Sequence, residues 1–555
     1  MMASCLTEPI RADRYMRLDV VLTAAPLSTV TLDCTSFAYN SIKHHSKPCH
    51  FILDGTFTGQ TNTTTGLIYF RGIRYADPPT GKLRWMAPVS PPSKHLGKVT
   101  ATSFGFACIG TTQTDAGPTT SEDCLFGNVY IPIATTATSA LPVLVFFHGG
   151  GFETGRSTKY PPENIVLSSA EPLIFVTFEY RLGQFGFLPG TPVHDNGVLN
   201  AGLLDQKAAL QWVQTYIGKF GGDPRRVTIW GQSAGAASVL YHMIGDGGTN
   251  TNLFNQAIMD SPPLLSLLSY NDPAVENLFT QFASLAGCAK KATSASTMSC
   301  LRAASTAKLA TAGSKLLLNL TSSLYPLGPI ADGSYIQERP VDALQNGNFV
   351  RVPVLSGSNT DEGANWSAEL TNPAANTSSP KATETTVYNF LAGQYGPFTN
   401  TSFQQAVTMY YPLADYNGSV SLQGQQMYGE MRYICAAMLV AGAVHDVGLS
   451  SYQYHWDNPN LGSTHGDELD AFFNGAEVFD PADEALVQVM RGYWTSFATG
   501  GTPVAAGGIA WPAADDSDGS PRLLLHPGNV TAEEVNDVLR ERCAFWYGLS
   551  DELST

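Results

Sequence analysis

The most informative segment of this 555-residue chain reads Val227-Thr-Ile-Trp-Gly231-Gln232-Ser233-Ala234-Gly235-Ala236. A short apolar strand runs into a serine that is flanked by two glycines, and small, helix-forming residues follow. This is the sequence form of a nucleophile elbow, a sharp strand-to-helix turn that lifts a serine hydroxyl above the end of a sheet. The glycines leave room for the tight crossing of strand and helix. The segment predicts that Ser233 is a nucleophile, but five residues alone also match by chance.

A second motif lies upstream of the elbow. Leu141–Phe147 is a continuous apolar run of strand length, and it ends in His148-Gly149-Gly150-Gly151. Three glycines alone could be a flexible loop, but an HGGG sequence after a strand is typical of an oxyanion hole. The backbone N–H groups of Gly150, Gly151 and Ala234 are therefore predicted to bind the oxygen of a tetrahedral intermediate.

With both motifs, the chain resembles the type-B carboxylesterase/lipase family, the cholinesterase-like branch of the α/β-hydrolases, and within it a fungal-type carboxylesterase. The resemblance extends from about residue 51 to 546. Its supporting segments, in the family's order, are 69–79 (YFRGIRYADPP), 121–125 (SEDCL), 180–187 (YRLGQFGF), 205–213 (DQKAALQWV) and 220–224 (FGGDP).

The fold class expected is α/β: an α/β-hydrolase fold with a large, mostly parallel central sheet and helices on both faces. Strand-like apolar runs that alternate with helical stretches favour the same architecture. We expect a single domain over residues 51–555. The polar stretches 289–313 and 371–386 are interpreted as surface insertions.

The other two members of a catalytic triad follow the serine in this fold, first the acid and then the histidine. The resemblance places the acid on Glu362, in the sequence Asp361-Glu362-Gly363, with Asp361 as the rival. It places the general base on His465, in a loop before a helix start. The competing histidines are interpreted as structural: His445 at a helix end, His455 in a strand and His526 near the tail.

The resemblance implies disulfides that pair Cys108 with Cys124, Cys288 with Cys300, and Cys435 with Cys543. Such bonds indicate an oxidising compartment, and we expect a secreted protein. Cys5, Cys34 and Cys49 have no partner in this scheme. Seven N-x-S/T sequons give weak support for secretion: Asn62, Asn319, Asn365, Asn376, Asn400, Asn417 and Asn529.

Residues 1–50 fit either a poor signal region or an N-terminal extension, and the extension is slightly favoured because Asp19 breaks the apolar run. Nothing approaches 18 consecutive apolar residues, so no integral membrane segment is expected.

The net charge of −16 disfavours nucleic acid as a partner. No clustered Cys/His pattern suggests a metal, and no organic cofactor is expected. The oligomeric state stays open.

Departures from the family pattern bear on the substrate. The loop 109–123 has no aromatic residue, which argues against choline esters, and it is too short and polar for the apolar flap of the family's fungal lipases. Glu153 is predicted either to face the site and disfavour acidic substrates or to be a solvated surface residue. Glu179 and Gln232 replace residues common in the family without removing a catalytic group, and Arg84 with Glu122 matches a structural ion pair.

The function predicted is hydrolysis of soluble or modestly hydrophobic carboxylic esters by a Ser-His-Glu triad through an acyl-enzyme. A triacylglycerol lipase is the alternative within the same chemistry. A catalytically silent, cholinesterase-like binding module is the alternative of another class; it is disfavoured because all three triad residues are present.

Overall fold

The computed structural model of the protein describes residues 27–32, 55–289, 291–370, 372–475 and 479–555. Its strands are β1 Thr29–Leu32, β2 Gly55–Thr58, β3 Gln60–Asn62, β4 Leu67–Arg74, β5 Gly97–Thr100, β6 Ala107–Cys108, β7 Thr120–Ser121, β8 Phe126–Pro132, β9 Leu141–Phe147, β10 Ile174–Phe178, β11 Gly222–Gln232, β12 Gln256–Asp260, β13 Val354–Asn359, β14 Ser451–Trp456, β15 Arg522–His526 and β16 Asn529–Glu533.

The α-helices are α1 Glu163–Leu167, α2 Gly183–Gly186, α3 Thr191–Asn196, α4 Ala201–Tyr216, α5 Ala234–Gly248, α6 Pro273–Leu285, α7 Ser294–Ala303, α8 Thr306–Asn319, α9 Pro340–Gln345, α10 Glu384–Gln394, α11 Asn400–Gln405, α12 Val420–Gly429, α13 Cys435–Asp446, α14 Leu469–Phe473, α15 Pro481–Gly500, α16 Asp537–Gly548 and α17 Ser550–Leu553. A π-helical turn, Glu430–Ile434, joins α12 to α13 without a break.

An 11-stranded sheet organises the molecule, in the order β16-β15-β14-β13-β12-β11-β9-β10-β8-β4-β3. The central strands, from β15 to β10 in that order, pair in parallel. The outer strands at both ends pair antiparallel. Because the carboxyl ends of the central strands meet at one edge, the residues that follow β9, β11, β12 and β13 converge there.

Helices cover both faces of this sheet. Alternate residues of a strand point to opposite faces, so Val143 and Val145 of β9 pack in one core cluster with α4 and α5. Leu144 and Phe146 of the same strand pack in a second cluster with α14 and α15. The predicted α/β-hydrolase architecture, a mostly parallel sheet between helical layers, is confirmed.

The three predicted cysteine pairs are all disulfide-bonded, and they close loops of very different length. The sequence separations are 16 residues for Cys108–Cys124, 12 for Cys288–Cys300 and 108 for Cys435–Cys543. The last bond ties the start of α13 to α16. Cys5, Cys34 and Cys49 lie outside the described residues.

The polar stretch 289–313 is more than a surface insertion. It contains α7 and the first half of α8, and Met298, Leu301 and Leu309 are buried in a core cluster with Phe279 of α6. The prediction was wrong because the segment's few apolar residues recur at helical spacing among many small polar ones.

The boundary at residue 51 stays a prediction. Strand β1 lies on the N-terminal side of it and pairs antiparallel with β2, and its Val30 and Leu32 are buried in the main core. Over the described ranges, the chain has no helix with the length and hydropathy needed to cross a membrane.

Candidate active site

The turn at Ser233 joins the end of β11 to the start of α5. Ser233 has φ 57° and ψ −125°, a strained backbone conformation that turns the chain sharply. Neither flanking position has room for a side chain. A Cβ atom on Gly231 would lie 2.3 Å from the backbone of Gly235, and one on Gly235 would lie 2.0 Å from the carbonyl oxygen of Phe147. The turn is held by the Ser233 N–H, which donates to the Asp260 carbonyl at 3.0 Å.

His465 is joined to Glu362 by a hydrogen bond of 2.6 Å between Nδ1 and Oε2. The other carboxylate oxygen, Oε1, accepts from Ser261 Oγ at 2.5 Å and from the Asn359 N–H at 2.8 Å. Glu362 is 1 % exposed, so these bonds fix its position in the protein interior. Because Nδ1 donates to the carboxylate, the neutral imidazole carries its lone pair on Nε2.

Aromatic rings hold the imidazole from the sides. The Tyr433 ring lies 4.2 Å and the Trp366 ring 5.1 Å from the His465 ring, between centroids. His465 Nε2 lies 3.4 Å from the side-chain nitrogen of Gln232, the residue that precedes Ser233. Within the described part of the chain, no hydrogen bond joins Ser233 Oγ to His465. Contacts of this kind tighten when a substrate binds.

The other candidates for the acid and the base lie away from the pair formed by Glu362 and His465. The Asp361 side chain is exposed, whereas Glu362 is buried against His465. The remaining histidines bind distant groups: His445 the Ala514 carbonyl, His455 Glu533 and Thr360, and His526 Asp457. The geometry therefore favours Glu362 and His465 over every alternative weighed from the sequence.

The glycine loop after β9 packs directly against the elbow. Gly150 and Gly151 have φ of 110° and 62°, values that favour glycine. A Cβ atom on Gly149 would lie 3.1 Å from that of Ser233, and one on Gly151 would lie 2.2 Å from the Tyr325 ring. The loop and the N-terminus of α5, which begins at Ala234, thus face the same small space beside Ser233.

Two buried ionisable groups, His148 and Glu179, lie next to the glycine loop. Burial lowers the pKa of His148 to about 4, so its ring is neutral, and it stacks on Tyr180 with centroids 4.4 Å apart. Burial raises the pKa of Glu179 to about 7, although the carboxyl accepts from the N–H and hydroxyl of Ser157.

Both interpretations of Glu153 were wrong. The side chain is 3 % exposed, and its Oε1 accepts from the Leu327 N–H at 2.8 Å. Burial raises its pKa to about 8, so the carboxyl is neutral at pH 7. Glu153 connects the glycine loop after β9 to the segment 325–328, a contact that local sequence does not reveal.

A small pocket opens at Ser233, and a larger cavity of about 300 Å³ adjoins it. Four residues line both spaces: Leu265, Tyr325, Gly328 and Arg432. Ser233 is 9 % exposed and lines only the smaller of the two spaces.

Several residues of the site were not predicted from the sequence. Ser261 lies directly after β12, and its position at the carboxyl end of a strand was the available signal. Tyr433 and Arg432 come from the π-helical turn, and Trp366 begins a short 3₁₀-helix after Glu362; no sequence motif marks these positions.

A serine on a strand-to-helix elbow, a glycine-rich loop beside it and a histidine bound to a buried glutamate together define the α/β-hydrolase class. The carboxylesterase family model matches residues 47–546, and the chain belongs to the carboxylesterase family. It is a carboxylic ester hydrolase of that family.

Individual relatives are both lipases and carboxylesterases. Secreted lipase 1 of Botryotinia fuckeliana is 33 % identical over 77 % of this chain and 80 % of its own length. Pyrethroid hydrolase Ces2e of Rattus norvegicus is 31 % identical over 85 % of each chain. The crystal structure of Aspergillus niger EstA is 30 % identical, covers 90 % of this chain and 98 % of its own, and superposes with a TM-score of 0.78.

Proposed function

We propose that the protein hydrolyses carboxylic esters through a triad of Ser233, His465 and Glu362. His465 Nε2 takes the proton from Ser233 Oγ as that oxygen attacks the ester carbonyl. The proton then passes to the leaving alkoxide, the C–O bond breaks, and an acyl-serine remains. Water, deprotonated by the same nitrogen, attacks the acyl-serine and releases the acid.

The observation that carries this proposal is the 2.6 Å bond between His465 Nδ1 and Glu362, with Nε2 on the side of the elbow. The carboxylate fixes the imidazole tautomer and stabilises the imidazolium that forms during proton transfer. Ser261 and Asn359 hold that carboxylate in turn.

The oxyanion of each tetrahedral intermediate is assigned to the backbone N–H groups of Gly150, Gly151 and Ala234. Their support is the packing of the glycine loop on the elbow and the position of Ala234 at the first turn of α5. Loss of one such donor lowers kcat by about 100- to 1000-fold in related chemistry.

The substrates proposed are soluble or modestly hydrophobic esters. In the fungal lipases that the chain resembles, a flap occupies the position of the loop 109–123. Here several hydrogen bonds fix this loop to the rest of the protein. The Thr111 N–H donates to the Glu153 carbonyl at 2.8 Å, and the Thr114 carbonyl accepts from Thr311 of α8 at 3.1 Å. Gln113 bonds Gly110 and Thr120 across the loop. A loop held in this way does not favour opening at an oil surface.

A triacylglycerol lipase remains the second candidate because several relatives are named lipases, and one of them is the secreted triacylglycerol lipase LIP1 of Gibberella zeae. The disulfides and the relatives named as secreted also support an extracellular location for this protein.

The test is hydrolysis of p-nitrophenyl esters from acetyl to palmitoyl by the wild type and by Ser233→Ala. The matched control is Ser284→Ala, which removes an exposed hydroxyl from α6. We expect a preference for short acyl chains, loss of turnover in Ser233→Ala and full turnover in the control. A long-chain preference that rises sharply with emulsified substrate would instead identify a lipase. A folded wild type without activity on any ester would overturn the triad proposal.

A further inference from the structure

Arg432 is a buried cation without a carboxylate partner, and it lines the cavity beside the reacting serine. The residue is 7 % exposed. Across the described ranges, no Asp or Glu oxygen lies within ion-pair distance of its guanidinium, and the side chains that bind it are the neutral phenols of Tyr395 and Tyr433. Its Nε is buried without a partner.

The other buried arginines of the described chain each bind a carboxylate or backbone carbonyl groups. Arg84 binds Glu122 through two nitrogens, Arg181 binds Asp205 in the same way, and Arg522 binds Glu533. Arg491 donates to the carbonyl groups of Ala471 and Asn474. A buried charge without such partners is costly to keep, so the guanidinium of Arg432 calls for a ligand that completes it.

The surroundings of Arg432 are aromatic and uncharged. The rings of Tyr428 and Tyr433 lie 5.6 and 5.8 Å from its guanidinium carbon. Ser266, which lines the same cavity, has a buried hydroxyl without a hydrogen-bond partner. Glu153 accepts from the N–H of Leu327, which lies between the cavity-lining residues Pro326 and Gly328, and burial raises the pKa of its carboxyl to about 8, so it supplies little counter-charge at pH 7.

The position of Arg432 assigns it to one side of the ester. The leaving alcohol receives its proton from His465 Nε2 and must lie next to that ring. The pocket that contains Ser233 and Arg432 is bounded by Gly151, Pro263 and Leu265, and His465 is not part of its lining. The acyl group therefore extends into this pocket and toward Arg432.

We propose that Arg432 is a specificity-determining residue that binds a carboxylate on the acyl part of the substrate, so that the protein prefers half-esters of dicarboxylic acids. The inference rests on the proposed function, because it names the acyl class of the same reaction. Arginine suits this role since its planar fork binds carboxylates through two parallel hydrogen bonds.

The experiment compares monoethyl esters of dicarboxylic acids from succinic to suberic with the ethyl esters of the corresponding terminal amides. The amides have the same length and no charge. Release of ethanol is measured for the wild type, Arg432→Met, Arg432→Lys and, as a control for loss of one positive charge, the exposed Arg351→Met. The quantity of interest is the ratio of kcat/KM for the acid to that for the amide.

We expect this ratio to fall about 10- to 100-fold in Arg432→Met, the size of a lost charge-assisted hydrogen bond, and to fall much less in Arg432→Lys. It should stay at the wild-type value in Arg351→Met. An equal ratio in the wild type and Arg432→Met, with both hydrolysing the amide esters, would overturn the assignment and leave the esterase function intact. No hydrolysis of any ester by the wild type would instead reject the proposed function.

If Arg432→Met does not fold, an inhibition measurement on the wild type alone still tests the proposal. Adipate and adipamide are compared as inhibitors of p-nitrophenyl butyrate hydrolysis. The proposal requires competitive inhibition by adipate at concentrations at least about ten times lower than those of adipamide. Equal inhibition by the two compounds would refute it.

Discussion

Replacing Glu153 with glutamine removes a buried carboxyl while keeping the size of the side chain and its acceptor for the Leu327 N–H. The carboxyl has a folded-state pKa of about 8 against a reference value of 4.5. In the unfolded chain it is ionised above pH 4.5, whereas in the folded chain it stays protonated up to pH 8. The folded state binds the extra proton, so the wild type loses stability as pH rises through this window.

The size of the effect follows from linkage. One unit of pKa difference is about 1.4 kcal/mol, so this site lowers the free energy of unfolding by about 1 kcal/mol at pH 5 and about 3 kcal/mol at pH 7. The loss levels off at about 5 kcal/mol above pH 8. Glutamine does not titrate, so Glu153→Gln should gain stability over the wild type by these amounts.

The assay is urea unfolding followed by tryptophan fluorescence at pH 5, 6, 7 and 8 for the wild type and Glu153→Gln. The control is Glu541→Gln, an exposed glutamate of α16. The free-energy difference between Glu153→Gln and the wild type should widen by about 1 kcal/mol per pH unit, and the control should lack this trend. A difference that stays constant from pH 5 to pH 8 would refute the argument that burial holds this carboxyl protonated.

Three further outcomes are expected. Glu362→Gln should lower kcat by about 10³- to 10⁴-fold in protein shown to be folded by circular dichroism, because it disrupts the tautomer of the histidine; an activity near wild type would exclude Glu362 as the triad acid. Replacing Cys435 and Cys543 with serine opens a loop of 108 residues and should cost about 4 to 5 kcal/mol of unfolding free energy, measured in urea; a cost below about 1 kcal/mol would contradict it. Gly235→Ala places a methyl group 2.0 Å from the Phe147 carbonyl and should lower the melting temperature and abolish turnover, whereas Gly218→Ala, which meets open space, should do neither.

The parts of the site that could be predicted from the sequence are those whose chemistry depends on local backbone geometry. The elbow at Ser233 and the loop at Gly150 and Gly151 need glycine at fixed positions, so their sequences identify them. Glu362 and His465 were found only through resemblance, because their contact joins loops that follow β13 and β14, about a hundred residues apart.

The unpredicted parts depend on strand order and helix geometry. Ser261 reaches Glu362 because β12 and β13 are parallel neighbours in the sheet, an adjacency that the sequence does not encode locally. Glu153 was misjudged because its burial depends on the segment 325–328, far away in the chain. Arg432 could not be singled out, since an arginine in an apolar helix usually finds a partner.

The π-helical turn Glu430–Ile434 makes the lining of the cavity sensitive to the loss of a single residue. A π-turn closes hydrogen bonds one residue later than an α-turn, so it contains one residue more. Deleting a single residue within 430–434 would restore a regular helix yet rotate everything before it by about 100° relative to α13. Arg432 and Tyr433 could then no longer both face the cavity, so the one additional residue of the π-turn sets the position of both side chains.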